Sequence, residues 1–184
     1  MRHASKLDKA RDEFIPAITA LAEKFCPSKL SEKQREEGGF LIPYTESEYR
    51  YFAKHAEHFY VLIVGSQVVG FLLAHSSETI QLFGGEVYLH ISKVLKRPFI
   101  VVRQICIAPE FSNMKNVKAL YDFLVQQLKK SMVCYETMVG FSWKQPYNNP
   151  RSEKIHEKLG WKELEIYTLK NSEGVVAIGT NLIG

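Results

Sequence analysis

The spacing of apolar residues along the chain predicts alternating helices and strands. Apolar residues that recur every three or four positions predict a helix over residues 5–25, ended before Pro27; they are Phe14, Ile18, Leu21, Ala22 and Phe25. A short strand over residues 1–4 would precede it. Further along, the pattern predicts a polar helical turn over residues 31–37, stopped by Gly38 and Gly39, and helices over residues 46–57, 86–96, 117–130 and 150–158.

Runs rich in β-branched and aromatic residues predict the strands, over residues 59–64, 67–75, 99–107, 137–143, 164–169 and 175–182. The dipeptide Gly65-Ser66 predicts a tight hairpin between the first two, and residues 171–174 turn the last two into a second hairpin. Residues 76–98 form a long connection of the kind that often covers a binding site. Strands and helices that alternate at these lengths predict an α/β or α+β fold with one helix-covered sheet.

The helix at residues 150–158 has clear signals at both ends. Asn149 is a good N-cap, Pro150 suits the first helical position, and Gly160 suits a left-handed residue after the last turn. Trp161 would then pack back on that turn, near Ile155. The predicted inward face of this helix contains two polar groups among its four residues, which are Ser152, Ile155, His156 and Leu159.

A second junction joins the strand over residues 99–107 to the next helix. Pro109 lacks an N–H group, so strand pairing must lapse beside it. The helix that follows offers free N–H groups and the positive end of its dipole, which favour phosphate. Side chains that could add charge or cap this end are Lys115, Lys118, Asn113 and Asn116. The sequence thus favours a phosphate site here, and an ordinary capped helix start is the alternative.

Length and composition fit one globular domain: the chain has 184 residues, of which 46% are hydrophobic and 24% charged, with a net charge of +4. That charge is too small to predict a nucleic-acid partner, and the apolar runs are too short to cross a membrane. The cysteines, Cys26, Cys106 and Cys134, are odd in number and far apart, which favours a reduced cytoplasmic setting. The histidines lack metal-ligand spacing, and we expect no metal.

The sequence "IAPEF", a six-residue loop, a helix, a strand and then "NNPRSEKIHEKLGW" resemble the GCN5-related N-acetyltransferase (GNAT) superfamily. The resemblance spans most of the chain, as a single domain 1–184. It is strongest at N-x-x-S-x-x-x-H-x-x-x-G-W, from residue 149 to 161, where the family usually reads N-x-x-A/S-x-x-x-Y/H-x-x-x-G-F. "QPYNNPRSEKIHEKLGW" is especially similar to a branch with Pro-Asn-Pro-x-Ser and a His on this helix. The resemblance implies a mixed, mostly antiparallel sheet, splayed in a V between its fourth and fifth strands and flanked by helices on both faces.

The resemblance also implies acetyl-CoA as cosubstrate, bound in that V. The backbone of Cys106 and Ile107 would hold the pantetheine arm, and residues 112–117 would wrap the pyrophosphate. Asn149 and Ser152 would border the far side of the cofactor. His156 falls where many relatives place a Tyr that protonates the departing thiolate. The residues this assigns to the cofactor, together with the charged and capping groups above, are Cys106, Ile107, Ser112, Asn113, Lys115, Asn116, Val117, Lys118, Asn149 and Ser152.

One departure from the family motivates a rival function. The family's phosphate loop usually reads Gln/Arg-x-x-Gly-x-Gly/Ala, whereas these positions are Ser112, Lys115 and Val117. Glycine permits close approach of a ligand to the backbone, and Lys and Val do not. The leading hypothesis is an N-acetyltransferase that acts on an amine. The rival is a non-catalytic acyl-CoA sensor or interaction module, and a binder of nucleotide or another phosphate ligand lacks a supporting motif.

Several residues keep a simpler alternative. His156 could be a general acid, a hydrogen-bond donor or a packed core histidine; Asn149 could be only a cap and Ser152 only a packing residue. Cys106, in mid-strand, is better explained as a small buried hydrophobe than as a nucleophile. Four groups could deprotonate the acceptor, and the sequence selects none of them: Glu78, Glu86, His75 and His90. Tyr147 and Trp143 could line an acceptor pocket or pack in the core. The acceptor would be a small amine or amino acid, or else a protein N-terminus or lysine, and edge pairing of the last hairpin could form a homodimer.

Overall fold

The computed structural model describes residues 5–79, 85–170 and 174–183. The strands are β1 (Ser5–Lys9), β2 (His58–Val64), β3 (Gln67–Ser76), β4 (Phe99–Ile107), β5 (Thr137–Gln145), β6 (Lys162–Thr168) and β7 (Val175–Leu182). The helices are α1 (Ile15–Glu23), α2 (Glu32–Glu37), α3 (Glu46–His55), α4 (Glu86–Val94), α5 (Met114–Leu128) and α6 (Pro150–Lys158). No helix among these residues is long and apolar enough to span a bilayer.

The strands form one seven-stranded sheet in the order β1-β2-β3-β4-β5-β7-β6. Strands β1 and β2, β2 and β3, β5 and β7, and β6 and β7 pair antiparallel, and β4 pairs parallel with β5. The parallel ladder joins Phe99–Val102 to residues 137–140, although the two strands continue to Ile107 and Gln145. The predicted mixed α/β fold, with a mostly antiparallel sheet flanked by helices, is confirmed.

The prediction for the N-terminal segment was wrong in part. Residues 5–9 form β1, paired along its length with β2, and Ala10 continues the pairing by donating to the Phe59 carbonyl at 2.7 Å. The helix begins only at Ile15. The helical apolar spacing also begins only at Phe14, and pairing with a strand fifty residues away decides the conformation of residues 5–9. The strand predicted over residues 1–4 lies outside the described residues.

The other predicted elements are present, with shifts of a few residues at their ends. The turn between β2 and β3 contains Gly65 at a φ of 62°. Capping boxes begin α2 at Ser31 and α3 at Thr45, so sequence signals fix both starts. At the second hairpin Leu169 donates to the Gly174 carbonyl at 2.8 Å, and residues 171–173 lie outside the described part.

Contacts group the chain into two compact units. The first contains residues up to Leu30, Phe40–Ala74 and Gln104–Lys130, with α1, α3, α5 and β1–β3. Its core includes the fully buried rings of Tyr49, Phe59 and Phe71. The buried amide of Gln104 accepts from the Tyr49 hydroxyl at 2.8 Å and donates to the Ile42 carbonyl at 2.7 Å, so its burial leaves neither end unpaired.

The second unit contains Ser31–Gly39, His75–Arg103 and the residues from 131 onward, with α2, α4, α6 and β5–β7. One face of β5 and β7 packs against α4; this core comprises Ile91, Phe99, Val101, Val139, Val176 and Ile178. The other face carries small residues that stand opposite each other, Gly140 with Gly179 and Ser142 with Ala177. Helix α6 contacts β5 in this unit, so His156 belongs to it.

Candidate functional site

The ends of α6 are fixed as the sequence predicts. At its start the Asn149 side chain accepts the Ser152 N–H at 3.2 Å, and Pro150 is the first helical residue. At its end Gly160 adopts a φ of 78°, and the N–H groups of Gly160 and Trp161 donate back to the carbonyls of Glu157 and His156, both at 2.9 Å. These paired bonds form a Schellman motif, which stops the helix at a defined place.

Trp161 packs back on the last turn as predicted, and it stacks there on His156, a contact that the prediction did not include. The two ring centroids lie 4.7 Å apart with an interplanar angle of 23°. In a Schellman motif the residue after the glycine packs near the helical residue whose carbonyl it bonds, and here that residue is His156. His156 is therefore held in part by the geometry that ends the helix.

Gly140 makes room for this stack. A Cβ atom at Gly140 would lie 2.9 Å from Cζ3 of Trp161 and 3.3 Å from Cε1 of His156. Gly179, on the neighbouring strand, leaves more space, since a Cβ there would lie 3.5 Å from Trp161. The indole is only 8% exposed, so both rings lie against the backbone of the sheet. The role of Gly140 could not be predicted from sequence, because no local pattern marks the close approach of Trp161, which lies 21 positions later in the chain.

The imidazole of His156 is neutral at physiological pH. Burial disfavours its charged form and lowers the pKa of His156 to about 4, and the Glu153 carboxylate opposes this only in part. Within the part of the chain that the structure describes, neither ring nitrogen has a hydrogen-bond partner. The described residues therefore do not support the alternative that His156 is a core histidine with a carbonyl as its hydrogen-bond partner.

A cavity of about 310 Å³ lies beside His156, within the second unit. Its wall combines the two stacked rings with small residues of β5 and β7, and its rim is charged. The lining residues that matter below are His156, Trp161, Ser142, Ala177, Glu153 and Glu163. The cavity therefore brings a neutral imidazole and several charged side chains to one space.

Asn149 does more than cap the helix. Its side-chain oxygen also accepts the N–H of Gly39 at 2.7 Å. Gly38 and Gly39 adopt φ values of 74° and 86°, and a Cβ at either would lie 2.7 Å from the side chain of Pro150 or Arg151. The sequence identified the two glycines only as the end of α2. The structure places them against the start of α6, where the side-chain oxygen of Asn149, a residue expected to border the cofactor, already accepts two backbone N–H groups.

The predicted phosphate loop forms most of its own hydrogen bonds. Asn113 caps α5 by accepting the Asn116 N–H at 2.9 Å, and its carbonyl accepts from Val117 at 3.1 Å. Ser112 and Asn113 donate their N–H groups to the carbonyls of Pro109 and Phe111. Among the described residues, the N–H groups of Met114 and Lys115 remain without a partner.

The side chains of this loop divide between solvent and core. Lys115 is exposed, whereas Lys118 forms an ion pair with Asp122 at 2.6 Å. Val117 is only 4% exposed and packs inward, so it belongs to the core of the first unit. The Asn116 amide donates to the Phe111 carbonyl at 2.8 Å. Within the described ranges, two N–H groups and the Lys115 ammonium thus remain for an anion.

Cys106 and Ile107 lie at the end of β4, and both are buried. Burial raises the pKa of the Cys106 thiol, which rules against a reactive thiolate. A Cβ at Gly70 would lie 3.0 Å from the Cys106 carbonyl, so β3 approaches this strand closely. Ala108 donates to the Val69 carbonyl at 2.8 Å, which carries the pairing on this side past the end of the strand.

Three of the four candidate bases have identified partners. His90 contacts the Glu165 carboxylate and stacks on Tyr167, with ring centroids 4.5 Å apart. Glu86 accepts the Lys170 N–H at 2.5 Å. Glu78 accepts from the Tyr135 hydroxyl at 3.3 Å. These contacts hold α4 and its flanking segments against the C-terminal part of the second unit. His90, Glu86 and Glu78 therefore have a structural role.

The remaining candidates lie in different environments. His75 is buried, at 2% exposure. Trp143 packs against the core of the second unit, and Tyr147 is 44% exposed, with the Arg35 guanidinium 5.8 Å from its ring centroid. Trp143 is thus better explained by packing than by an acceptor pocket, and Tyr147 remains accessible.

Comparison with known proteins gives a family. A model of the acetyltransferase (GNAT) family matches residues 18–161, and no curated protein matches significantly. The ribosomal-protein-S18-alanine N-acetyltransferase from Escherichia coli is 13% identical, with a TM-score of 0.62 over 98% of this chain and 95% of that chain. NAA60 from Arabidopsis thaliana, in complex with a bisubstrate analogue, is 9% identical, with a TM-score of 0.69 over 97% and 98%. An N-acetyltransferase from Staphylococcus aureus Mu50 is 16% identical, with a TM-score of 0.64 over 98% and 99%. At these identities the likeness establishes the fold, and the family match covers most of the sequence. The chain belongs to the acetyltransferase (GNAT) family.

Proposed function

We propose that this protein is a cytoplasmic N-acetyltransferase that transfers an acetyl group from acetyl-CoA directly to an amine. The observation that carries the proposal is a neutral imidazole, held by Trp161, at the position where relatives place their proton donor. Solved structures of similar fold include NAA60 from Arabidopsis thaliana in complex with acetyl-CoA and Naa50 with a bisubstrate analogue of CoA and a peptide. They support acetyl-CoA as the cosubstrate.

The residues present fit acetyl-CoA in part. The free N–H groups of Met114 and Lys115, with the Lys115 ammonium, suit a pyrophosphate at the positive end of α5. The backbone of Cys106 and Ile107 would hold the pantetheine arm. Val117 cannot imitate the usual glycine, because its side chain is buried in the core. We therefore expect micromolar rather than nanomolar binding.

His156 would serve as a proton shuttle rather than as a preformed acid. At pH 7 an imidazole with a pKa near 4 is almost entirely neutral. Its unprotonated nitrogen can accept the proton that the attacking amine loses as the C–N bond forms. Its other nitrogen can donate a proton to the sulfur as the C–S bond breaks. A thiolate with a pKa near 8.5 requires only modest assistance.

The acceptor is an amine, and a small amine or amino acid is our first expectation. A protein N-terminus or lysine is the second, and it gains support from the structural neighbours. The NatC complex was solved bound to Gag peptide and CoA, and the Escherichia coli relative is named for the alanine of a ribosomal protein.

Thiol release from acetyl-CoA, measured with a panel of amines, tests the proposal. The panel should contain amino acids, polyamines and short peptides with free N-termini. We expect at least one amine to accelerate release, and His156→Phe to reduce that rate by roughly a hundredfold while it preserves the stack on Trp161. An unchanged rate in His156→Phe would remove His156 from the mechanism. If no amine in the panel accelerates thiol release, the transferase proposal is wrong.

A second candidate function rests on the phosphate loop, where four of the backbone N–H groups are already bonded within the chain. It is a non-catalytic acyl-CoA sensor or interaction module on the same fold. This candidate predicts that acetyl-CoA and CoA bind and that no amine accelerates thiol release.

A further inference from the structure

The proposed reaction, on which this inference rests, must dispose of a proton. Most amines carry a proton at neutral pH, and an ammonium has no lone pair with which to attack a thioester. Acetyl-CoA and an ammonium yield an amide, a thiol and one free proton. That proton must reach solvent, and the side chains predicted from sequence to remove it, at α4 and its flanking segments, are mostly engaged in structural contacts.

The cavity beside His156 has the features that such a route needs. His156 and Glu153 both line it, and they lie three residues apart, one turn along the same helix. The Glu153 carboxylate lies 2.8 Å from the ammonium of Lys144, and their side chains are 34% and 28% exposed. Lys144 thus fixes the position of a partly exposed carboxylate that lines the same cavity as the imidazole.

We propose that Glu153 is a positioning residue for His156, and that the cavity they share carries the proton of the acceptor ammonium to solvent. The proton leaves the amine nitrogen for the free nitrogen of His156 and then passes through the cavity toward Glu153 and bulk water. No bond to carbon forms or breaks in this step, and no oxidant, reductant or metal takes part. The amine is then neutral and can attack.

Other charged groups face the same cavity. They are Lys154 and Glu157 on α6, Lys162 and Glu163 on β6, and Lys144 on β5 through its ion pair. Of the carboxylates, Glu153 is the one that raises the pKa of His156, against the larger opposite effect of burial. Glu157 therefore offers a matched comparison, as a carboxylate on the same helix and cavity.

The test is an NMR titration of His156 in four proteins, which needs neither cofactor nor acceptor. Glu153→Gln removes the carboxylate and should lower the pKa of His156 below its wild-type value. Lys144→Met leaves Glu153 without its counter-charge and should raise the pKa of His156. Glu157→Gln should leave the titration nearly unchanged. Opposite shifts in the first two variants cannot both arise from general loss of structure.

Kinetics complete the test, with thiol release from acetyl-CoA driven by the amine of the panel that accelerates it most as the probe reaction. Glu153→Gln should slow thiol release by roughly tenfold while the Kd for acetyl-CoA stays the same. An unchanged His156 titration in both Glu153→Gln and Lys144→Met would overturn the inference, as would an unchanged rate of amine-driven thiol release in Glu153→Gln. If the wild-type protein binds no acetyl-CoA, the proposed function fails, and the titration still decides whether Glu153 acts on His156.

Discussion

The side-chain oxygen of Asn149 accepts the backbone N–H of Gly39 at 2.7 Å, from a residue 110 positions earlier in the chain. The same oxygen caps α6 by accepting the Ser152 N–H. One buried amide therefore fixes both the start of the helix that carries His156 and the end of the Ser31–Gly39 segment. A sequence motif usually explained by the cofactor has a structural explanation here.

Asn149→Ser and Asn149→Ala separate these two roles. Serine caps a helix about as well as asparagine, but its shorter side chain cannot also reach Gly39. We expect Asn149→Ser to lower the free energy of unfolding by about 1 kcal/mol through the lost hydrogen bond, and Asn149→Ala by about 2 kcal/mol through loss of the cap as well. Urea denaturation measures both values.

Asn113→Ser provides the control, because Asn113 caps α5 without a bond to a distant segment. It should change the free energy of unfolding by less than about 0.5 kcal/mol. Equal losses in Asn113→Ser and Asn149→Ser would show that the bond to Gly39 contributes nothing.

A second prediction concerns the two glycines beneath Trp161. An added Cβ at Gly140 would lie 2.9 Å from the indole, closer than real Cβ contacts allow, whereas at Gly179 it would lie 3.5 Å away, at ordinary van der Waals distance. We expect Gly140→Ala to destabilise the protein by about 1–3 kcal/mol and to disturb the stack on His156. Gly179→Ala should be neutral or stabilising by up to about 1 kcal/mol.

Thermal unfolding and Trp161 fluorescence of the two variants test this contrast. Similar Tm values for the two variants would contradict this prediction. They would mean that the added methyl group at position 140 fits beside Trp161 without loss of stability. The two substitutions are chemically identical and act on the same ring from adjacent strands, so a difference between them reports the spacing alone.

The course of the backbone could be predicted from sequence wherever the signal is local. The cap at Asn149, the turn at Gly65 and the stop at Gly160 all appear as the sequence indicates. Strand β1 could not be predicted, because its conformation depends on pairing with β2 and not on its own apolar spacing.

The pH dependence of stability should report the burial of His156. In the unfolded chain a histidine binds a proton near pH 6.5, and in the folded protein the pKa of His156 is about 4. Between these values the unfolded state binds more protons, so acid favours unfolding. Stability should be complete above pH 6.5 and fall by up to roughly 3 kcal/mol as the pH decreases to about 4.

His156→Phe is the reference for this experiment, since phenylalanine can keep the stack and cannot titrate. The difference in unfolding free energy between wild type and variant should change across this window and remain constant above it. Burial also lowers the pKa of His58, which contributes in the same direction to both proteins and cancels. A constant difference from pH 7 to pH 4 would show that His156 titrates normally in the folded state.

Lys115 should contribute to cofactor binding by its charge. It is exposed at the start of α5, beside the N–H groups that remain free. Lys115→Glu should weaken CoA binding about tenfold or more, because a carboxylate would repel the phosphates. Lys129→Glu makes the same change of net charge at the other end of α5 and should have little effect. Equal losses in both would point to long-range attraction instead of a contact.

The candidate site was only partly readable from sequence. The motif singled out His156 as a polar residue on the inward face of its helix, and the ends of that helix followed from local signals. Three contacts of the site could not be predicted, because each joins residues that no local sequence pattern relates. They are the contacts of Gly39 with Asn149, of Gly140 with Trp161 and of Lys144 with Glu153. Val117 marked a departure from the family, and its burial explains why a hydrophobic side chain stands there.

Calorimetric titration with acetyl-CoA and, separately, with CoA tests the central claim most directly. The proposed N-acetyltransferase must bind acetyl-CoA, and we predict micromolar dissociation constants for both ligands. The absence of binding up to roughly millimolar ligand, a free energy weaker than about −4 kcal/mol, would contradict it.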